Sequence, residues 1–412
     1  MRPFSTLLLV AALTLSATAA AVAPSSPLAK RDTQIDANHD SAPRHYAERW
    51  FYTRSGGVQN ETVLYVADSL DGAPRTLLDP KTLSKRDTFA LKQWAVSDDG
   101  KYVAYGLASG GSDWEEWHVL DVDTGKPTDD VLKWVKLSTT SWRRDGTGFF
   151  YSRYDEHDKG GADKFQKLYF HRLGESQDDD LLIYENKDQP DWTFAAEVSD
   201  GGRWLIIRVT RNNAPNNLVL YRDLAKPYRQ KGEKKQASKA KAPGPNVRNM
   251  QGKKIKTESL ITPVETLIGD WSAGWEFLGD TKNTLYFLTD ADAPRRRIVA
   301  IDVDNPAKTN WKEVVPQAKG ALQSACIVNR SLVTVYMQDA HSVVRTFDLK
   351  GKTLGDISLP GPGTVSDLEG RPRDQAVFYT FSTTAAPSAV YRYDLSLQSG
   401  GVWRAPEPAQ AK

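Results

Sequence analysis

Few residues of this 412-residue chain have the type and spacing that catalysis requires. The nucleophilic serine of a hydrolase usually lies at the centre of Gly-x-Ser-x-Gly, on a turn from a strand into a helix. The nearest match, at residues 110–114, has Ser112 in the central position but Trp114 where the last glycine should be. Residues 115–118 are typical of the start of a strand, and the acids among residues 113–116 indicate a solvated loop edge. We therefore expect no catalytic serine here.

The other candidate ligands and nucleophiles also lack partners at a useful spacing. His118 and His171 lie in predicted strands, where packing or surface roles are expected instead of metal binding. Cys326 is the single cysteine and lies in an apolar strand context, so an inert core residue is predicted. One cysteine allows neither an internal disulfide nor a sulfur-ligated metal site. We predict no catalytic residue, no metal and no cofactor in this chain. The six histidines are His39, His45, His118, His157, His171 and His341.

The composition indicates a folded protein. Hydrophobic residues make up 40% of the chain and charged residues 26%, which excludes a chain that is disordered as a whole and a collagen-like repeat. With 12 Trp, 16 Tyr and 13 Phe, a large aromatic core is available. No pattern of helical period and length is present, so the chain is predicted to be almost entirely β.

Seven runs of aromatic and β-branched residues, each ending in a polar turn, recur along the chain. Equivalent positions in these runs are separated by 54, 51, 51, 79, 46 and 46 residues. A period of about 50 residues with several strands per unit is typical of a β-propeller blade. The runs are residues 63–67, 118–121, 167–172, 217–223, 297–302, 343–348 and 389–394.

A second signal precedes each run at a similar offset. Asp99-Gly100 separates two apolar runs, and the same pair recurs at 145–146 and 200–201. Asp-Gly is favoured in tight hairpins whose backbone needs positive φ angles. Weaker copies occur at residues 279–283, 329–330 and 373–374. The sequence therefore predicts an all-β fold, a seven-bladed β-propeller spanning residues 45–396 and followed by a disordered tail at 397–412.

The long interval of 79 residues contains a strongly basic stretch. Residues 226–256 hold nine lysines and two arginines against one acid, Glu233, so they carry a charge of +10 while the rest of the chain carries −8. They contain almost no large apolar residue and are predicted to form a disordered insertion. Binding to anionic partners is one interpretation and a solvated insertion is the other, which we favour. One aromatic residue, Tyr228, does not support base stacking, so no specific nucleic acid is expected.

The first residues resemble an export signal. Residues 1–23 combine Arg2, an apolar run at 4–15 and small-x-small cleavage patterns at 17–19 and 21–23. That run is too short to span a membrane, which takes about 20 residues. We expect a signal peptide at 1–23, a short linker at 24–44 and a secreted protein without a membrane span.

Several segments together resemble one peptidase family. Residues 57–72 and 77–84 closely resemble the first blade of prolyl oligopeptidase, and residues 97–106, 111–114, 166–171 and 197–200 keep the order and spacing of that family. The resemblance extends from Tyr46 to Asp394. It implies a two-domain serine peptidase that cleaves short peptides after proline. In that family the propeller covers an α/β-hydrolase domain, filters substrates by size and is not closed by a strand shared between its first and last blades.

The resemblance also implies residues that line the substrate pocket. Leu137 occupies an aromatic position of the family, Thr193 follows a tryptophan in place of methionine, and Ala214 replaces a cysteine. Arg211 is kept. These four are the predicted substrate-binding residues, and the three replacements predict an altered pocket.

The family's Ser/Asp/His triad lies in the hydrolase domain, most of which follows the propeller. Here 18 residues follow the last predicted run. We therefore expect an exported propeller that is inactive by itself and that meets proline-containing peptides only when paired with a hydrolase domain. The alternative is a stand-alone binding propeller. The sequence leaves the oligomeric state open.

Overall fold

The computed structural model describes residues 39–56, 61–84, 88–156, 163–211, 214–225 and 263–406. Within these ranges the chain forms 29 strands and no α-helix. Three short 3-10 turns cover Pro80–Thr82, Gln177–Asp179 and Lys308–Asn310. No helix in this part of the chain is long and apolar enough to cross a membrane.

The strands fall into seven antiparallel sheets, which we number as blades 1 to 7 in chain order. Blade 1 holds β1 (His39–Asp40), β2 (Arg44–Tyr46), β3 (Arg49–Gly56), β4 (Glu61–Ala67) and β5 (Arg75–Leu78). Blade 2 holds β6 (Phe89–Val96), β7 (Tyr102–Ser109), β8 (Glu115–Asp121) and β9 (Lys126–Val135); blade 3 holds β10 (Ser141–Trp142), β11 (Gly148–Arg153), β12 (Lys167–Arg172) and β13 (Leu181–Tyr184). Blade 4 holds β14 (Trp192–Val198), β15 (Trp204–Arg211), β16 (Leu218–Asp223) and β17 (Glu265–Ile268); blade 5 holds β18 (Trp275–Thr281), β19 (Thr284–Thr289), β20 (Arg297–Asp302) and β21 (Lys312–Val315). Blade 6 holds β22 (Ala321–Val328), β23 (Ser331–Gln338), β24 (His341–Asp348) and β25 (Thr353–Ile357); blade 7 holds β26 (Thr364–Glu369), β27 (Ala376–Ser382), β28 (Ala389–Asp394) and β29 (Ser399–Arg404).

Each sheet pairs its strands in chain order, and the first strand of each blade lies at the centre of the ring. In blade 1 that strand is interrupted, because β1 and β2 both pair with the same edge of β3. Side chains from four first strands, namely Arg44, Trp94, Glu197 and Glu276, line one cavity. The predicted seven-bladed propeller is confirmed.

The Asp-Gly pairs lie in the hairpins between first and second strands. Gly100 and Gly146 have φ angles of 69° each, and Gly202 has 74°. In blade 6 the connection at this place is a different, shorter turn, made by Asn329 and Arg330 with φ angles of 46° and 59°. Two successive positive φ angles match the twist of a two-residue hairpin, so this copy turns the chain without glycine.

The core lies between adjacent blades. Phe150, Leu205 and Ile207 belong to the cluster joining blades 3 and 4, and Trp204, Trp275 and Phe287 to the cluster joining blades 4 and 5. Burying one such side chain contributes about 1.5–3 kcal/mol. The faces between blades therefore supply most of the stability, as expected from the aromatic content.

Both ends of the propeller lie outside the predicted bounds. Ser399–Arg404 is not a tail but the outer strand of blade 7, paired with β28. Its Ser-Gly-Gly start has poor strand propensity, and the ladder to β28 overrides it. His39–Asp40, assigned to the linker, pairs with β3. The predicted signal peptide and the basic insertion at 226–256 lie outside the described residues.

Candidate functional site

Within the described ranges no strand is shared between blades 1 and 7, and contacts of side chains join them instead. Arg44 donates to Glu369 at 2.7 Å between Nη2 and Oε1, and Arg404 donates to Asp40 at 2.8 Å between Nη1 and Oδ2. His45 lies 3.0 Å from Asp374, measured from Nδ1 to Oδ1. We call this set of contacts the ring joint.

Aromatic side chains extend the ring joint. Trp50 of blade 1 packs edge-on against Phe378 of blade 7, with ring centroids 5.4 Å apart. Trp403 of β29 packs against Tyr52 of β3 at 5.8 Å. Such aromatic pairs are each worth about 0.5–1.5 kcal/mol beyond their burial. The ring joint therefore consists of ion pairs and aromatic contacts, and these contacts include no backbone ladder.

One end of the central channel is crossed by ion pairs. Arg371 lies in the turn after β26 and donates through Nη2 to Asp98 of blade 2 at 2.6 Å and to Asp200 of blade 4 at 2.8 Å. Arg373 donates through Nε to Asp200 at 2.9 Å. In a ring of seven, blade 7 reaches blade 4 only across the channel. We call these four residues the Arg371 bridge, and they obstruct the mouth at the turns between first and second strands.

The bridge lowers the pKa of one of its carboxyl groups. Burial opposes ionisation of Asp98, but the hydrogen bond from Arg371 and the charges of Arg371 and Arg373 outweigh it and lower the pKa of Asp98. The guanidinium of Arg371 also lies 4.5 Å from the centre of the Tyr46 ring. The contacts of Arg371 thus favour the charged form of Asp98.

The predicted pocket residues lie at the opposite end, where the first strands begin. Thr193 is the second residue of β14 and pairs across the sheet with Thr210, their hydroxyls 2.6 Å apart. Arg211 ends β15, and its guanidinium lies 4.4 Å from the centre of the Trp271 ring. Ala214 follows in the loop and donates its N–H to the carbonyl of Arg211 at 2.9 Å. Three of the four predicted residues therefore cluster on blade 4.

Leu137 belongs to the connection from β9 to β10, at the same end of the ring. It is 50% exposed and has a φ of 53°, a conformation that L-residues other than glycine rarely adopt. Gln166 links this connection to blade 4, since its amide donates to the carbonyl of Lys136 at 2.7 Å and accepts from the N–H of Phe194 at 2.6 Å. We call Leu137, Thr193, Arg211 and Ala214 the wall residues.

The surroundings of the wall residues are aromatic and partly exposed. Trp192 and Trp271 pack edge-on at 5.6 Å, and Phe165 is 43% exposed. These groups can contact apolar side chains and, through Arg211, a carbonyl or carboxylate. Gln166 is buried and was missed as a positioning residue, because its two backbone partners are 30 and 28 residues away in sequence.

The histidine in β12 is part of a buried ionic network between blades 2 and 3. His171 is fully buried, with Nδ1 2.7 Å from Asp180 and Nε2 2.9 Å from Asp130 of β9. Burial alone would lower the pKa of His171, but the two carboxylates raise it to about 9. Burial likewise opposes ionisation of Asp130, and hydrogen bonds from His171, Thr128 and Gly174 lower its pKa. We call this trio the buried histidine clasp.

The remaining candidates show no catalytic arrangement. The hydroxyl of Ser112 accepts the N–H of Trp114 at 3.0 Å in a hairpin between two strands. His118 lies 3.0 Å from Glu116, and burial lowers its pKa. Burial also raises the pKa of Cys326, which is half-buried on β22. Among the described residues, no group of three His, Cys, Asp or Glu side chains is arranged to hold a metal ion.

The fold and the site define a class of protein: a seven-bladed propeller closed by side chains, with wall residues at one end of its channel and an ionic bridge at the other. The profile of the prolyl oligopeptidase N-terminal β-propeller domain matches residues 28–406. The chain belongs to the prolyl oligopeptidase family.

Relatives and solved structures agree with this assignment. The chain is 29% identical to a prolyl endopeptidase of Elizabethkingia meningoseptica, over 89% of its own length, and 26% identical to prolyl oligopeptidase A of Amanita bisporigera. A prolyl endopeptidase of known structure is 32% identical with a TM-score of 0.76, and covers 91% of this chain and 49% of the other. Prolyl oligopeptidase B of Galerina marginata shares the fold at 20% identity and a TM-score of 0.75, with 92% of this chain covered and 52% of the other. The chain spans about half the length of the curated relatives it matches.

Proposed function

We propose that this chain is the substrate-admitting propeller of an exported peptidase of the prolyl oligopeptidase type, and that it does not hydrolyse peptides by itself. The observation that carries the proposal is the difference between the two ends of the channel. One end presents the wall residues, and the other is crossed by the Arg371 bridge.

The two ends suit different roles. Leu137 and Phe165 expose apolar surface at the wall end. Exposed apolar surface is typical of a region that contacts another domain or a peptide. The bridged end offers a folded polypeptide no wide entrance. A ring with this arrangement admits short peptides to a catalytic domain seated on its wall residues and excludes large proteins.

The wall residues set the expected substrate preference. Arg211 supplies guanidinium donors for a peptide carbonyl. Leu137, Thr193 and Ala214 offer neither an aromatic face nor a sulfur atom, so they should hold a proline ring less tightly than the residues they replace. The substrate class is therefore a short proline-containing peptide, bound with relaxed selectivity.

Reconstitution with a catalytic domain tests the proposal. The purified chain alone should give no hydrolysis of a proline-containing chromogenic peptide. Addition of the catalytic domain of a prolyl endopeptidase relative should restore turnover, and Leu137→Phe should raise kcat/KM several-fold. Glu185→Gln, which alters a surface pair with Lys187, is the matched control. Turnover by the chain alone, abolished by a serine-directed inhibitor, would refute the proposal.

Export has a separate test. Expression of the full chain in a secreting host should deliver protein to the medium, with a mature N-terminus just after Ala19 or Ala23. Retention inside the cell with an intact N-terminus would contradict this part of the proposal.

A further inference from the structure

The two-residue turn between β22 and β23 of blade 6 contains a motif that the proposed function does not use. Asn329, Arg330 and Ser331 follow one another there. Asn-x-Ser or Asn-x-Thr, with any residue but proline at x, is the acceptor motif for N-linked sugars in exported proteins. The motif is short and also occurs by chance, so the surroundings of the three residues decide whether a sugar has room.

The turn lies at the surface of the ring. Arg330 is exposed, and Asn329 and Ser331 are half-buried. Asn329 has a φ of 46°, a left-handed conformation that asparagine tolerates better than most residues. A bulky group at the tip of a surface turn displaces no core side chain. The turn can therefore hold a sugar without a change in the ladder between β22 and β23.

The side-chain amide of Asn329 has one N–H to spare. Its Nδ2 carries two N–H bonds, and it donates to the hydroxyl of Ser396 at 3.1 Å. Among the described residues, no second acceptor meets this nitrogen. Attachment of a sugar takes one N–H and leaves the other, so the contact with Ser396 is compatible with the modification.

That contact directs Asn329 toward an exposed apolar side chain. Ser396 and Leu397 lie in the turn between β28 and β29 of blade 7. Leu397 is 74% exposed, the highest value among the large apolar side chains that the structure describes, and it lines a surface groove together with Leu70 and Val402. Contiguous apolar surface of this kind favours association unless something covers it.

We propose that Asn329 carries an N-linked oligosaccharide, the first sugar of which lies over the turn that holds Leu397. The inference rests on the proposed export of the chain, because this modification belongs to secreted proteins. The turn joins a first to a second strand, as the turn that holds Arg371 does, so the sugar lies at the bridged end of the channel. It leaves the wall residues free for a catalytic domain.

The transfer needs one co-substrate, a lipid-linked oligosaccharide diphosphate, and a transferase of the export compartment. Nδ2 of Asn329 forms a bond to the anomeric carbon of the first sugar, and the bond from that carbon to the diphosphate oxygen breaks. The lipid diphosphate leaves with the electron pair of that bond, and Nδ2 gives up one proton to a base of the transferase. Nothing is oxidised or reduced. The hydroxyl of Ser331 completes the motif that the transferase recognises.

Expression of the full chain in a eukaryotic secreting host, followed by peptide mapping, is the test. Enzymatic removal of the sugar in heavy-oxygen water converts the asparagine that carried it into a labelled aspartate. Each site therefore reports separately, which matters because a second motif, at 60–62, begins outside the described residues. Most of the secreted chains should carry the label at Asn329.

The possible failures are distinguishable. Secreted chain without a label at Asn329 would overturn this inference and leave the proposed export intact. Chain retained inside the cell with an intact N-terminus would refute the proposed export and this inference with it.

Two changes at one residue form a matched pair. Ser331→Ala removes the hydroxyl and should lower the labelled fraction at Asn329 about tenfold, whereas Ser331→Thr keeps the motif and should retain the label. Both variants keep Asn329 in the turn, and thermal unfolding checks the fold of each. Equal labelled fractions in the two variants would contradict the proposal.

Light scattering of the same pair tests where the sugar lies. At high concentration the secreted Ser331→Ala chain should have about twice the apparent mass of the Ser331→Thr chain, because Leu397 is then uncovered. Leu397→Ser, added to both variants, should cancel this difference. A difference that persists with Leu397→Ser would overturn the contact assigned to Leu397.

Discussion

Two seams of the ring use the same kinds of side chain in opposite surroundings. At the seam of blades 2 and 3, the buried histidine clasp holds an imidazolium between two carboxylates away from water. At the seam of blades 7 and 1, the ring joint holds His45 against Asp374 with 32% of the histidine side chain exposed. Burial, and not the number of ion pairs, therefore decides how much stability a seam loses when one residue is removed.

Removal of the histidine from each seam should separate them most clearly. His171→Asn leaves Asp130 and Asp180 buried without a cation, which should cost about 3–5 kcal/mol of unfolding free energy. His45→Asn is the matched change in the ring joint and should cost at most about 1 kcal/mol. Urea unfolding at pH 7 measures both. Equal losses would show that the two seams do not differ.

The pH dependence of stability should differ as well. The pKa of His171 is about 9 in the fold against 6.5 in the unfolded chain, so its stabilisation is complete below pH 6.5 and is lost as pH rises through 9. At about 1.4 kcal/mol per unit, the loss amounts to about 3 kcal/mol. Urea unfolding from pH 6 to pH 10 should show this fall in the wild-type chain and in His45→Asn. A fall of the same size in His171→Asn would contradict the assignment.

Salt should reduce the stability contributed by exposed ion pairs more than that contributed by buried ones. Asp200→Asn removes one of the two carboxylates that pair with Arg371 and Arg373, whose side chains are 25% and 45% exposed. The expected loss is about 1–2 kcal/mol at low salt and much less in 1 M NaCl, where the Debye length is about 3 Å. The cost of His171→Asn should change little with salt. Unfolding curves at 0.05 and 1 M NaCl measure both, and a salt-independent Asp200→Asn effect would contradict the exposed character of the bridge.

A substitution outside both seams gives the change in stability expected where neither seam is affected. Leu137→Ser alters a wall residue that is half exposed, so stability should change by at most about 0.5 kcal/mol. Thermal unfolding measures it. A larger loss would mean that this residue supports the ring as well as the wall.

Local patterns predicted much of the fold. Asp99-Gly100 and its copies marked hairpins, because positive φ angles restrict the residues that a tight turn accepts. The period of the apolar runs then predicted seven blades. The outer strand Ser399–Arg404 was missed, since its glycines give no propensity signal and the contacts that hold it, the ladder to β28 and those of Trp403 and Arg404 with blade 1, are not local in sequence.

The ionic contacts could not be predicted in the same way. Arg371 meets Asp98 across 273 residues of sequence, and no local pattern relates them. His171 was predicted to pack or to lie at the surface, and it packs, but its two carboxylate partners were not identified. Asp130 comes from the neighbouring blade, so the pair exists only after blades 2 and 3 have packed together. Whether the wall residues bind substrate stays a prediction.

The ring joint bears on how such propellers change over evolutionary time. A strand shared between first and last blades would lock their register, so a duplicated or deleted blade would have to restore a whole ladder. Among the described residues no ladder crosses the seam, where side chains meet each other or a single backbone group, as Asp367 accepts the N–H of Ala42. Arg44 and Glu369 come from strands that pair within their own blades. Substitution of a few side chains at this seam would therefore be enough to alter how the ring closes, without a change in any ladder.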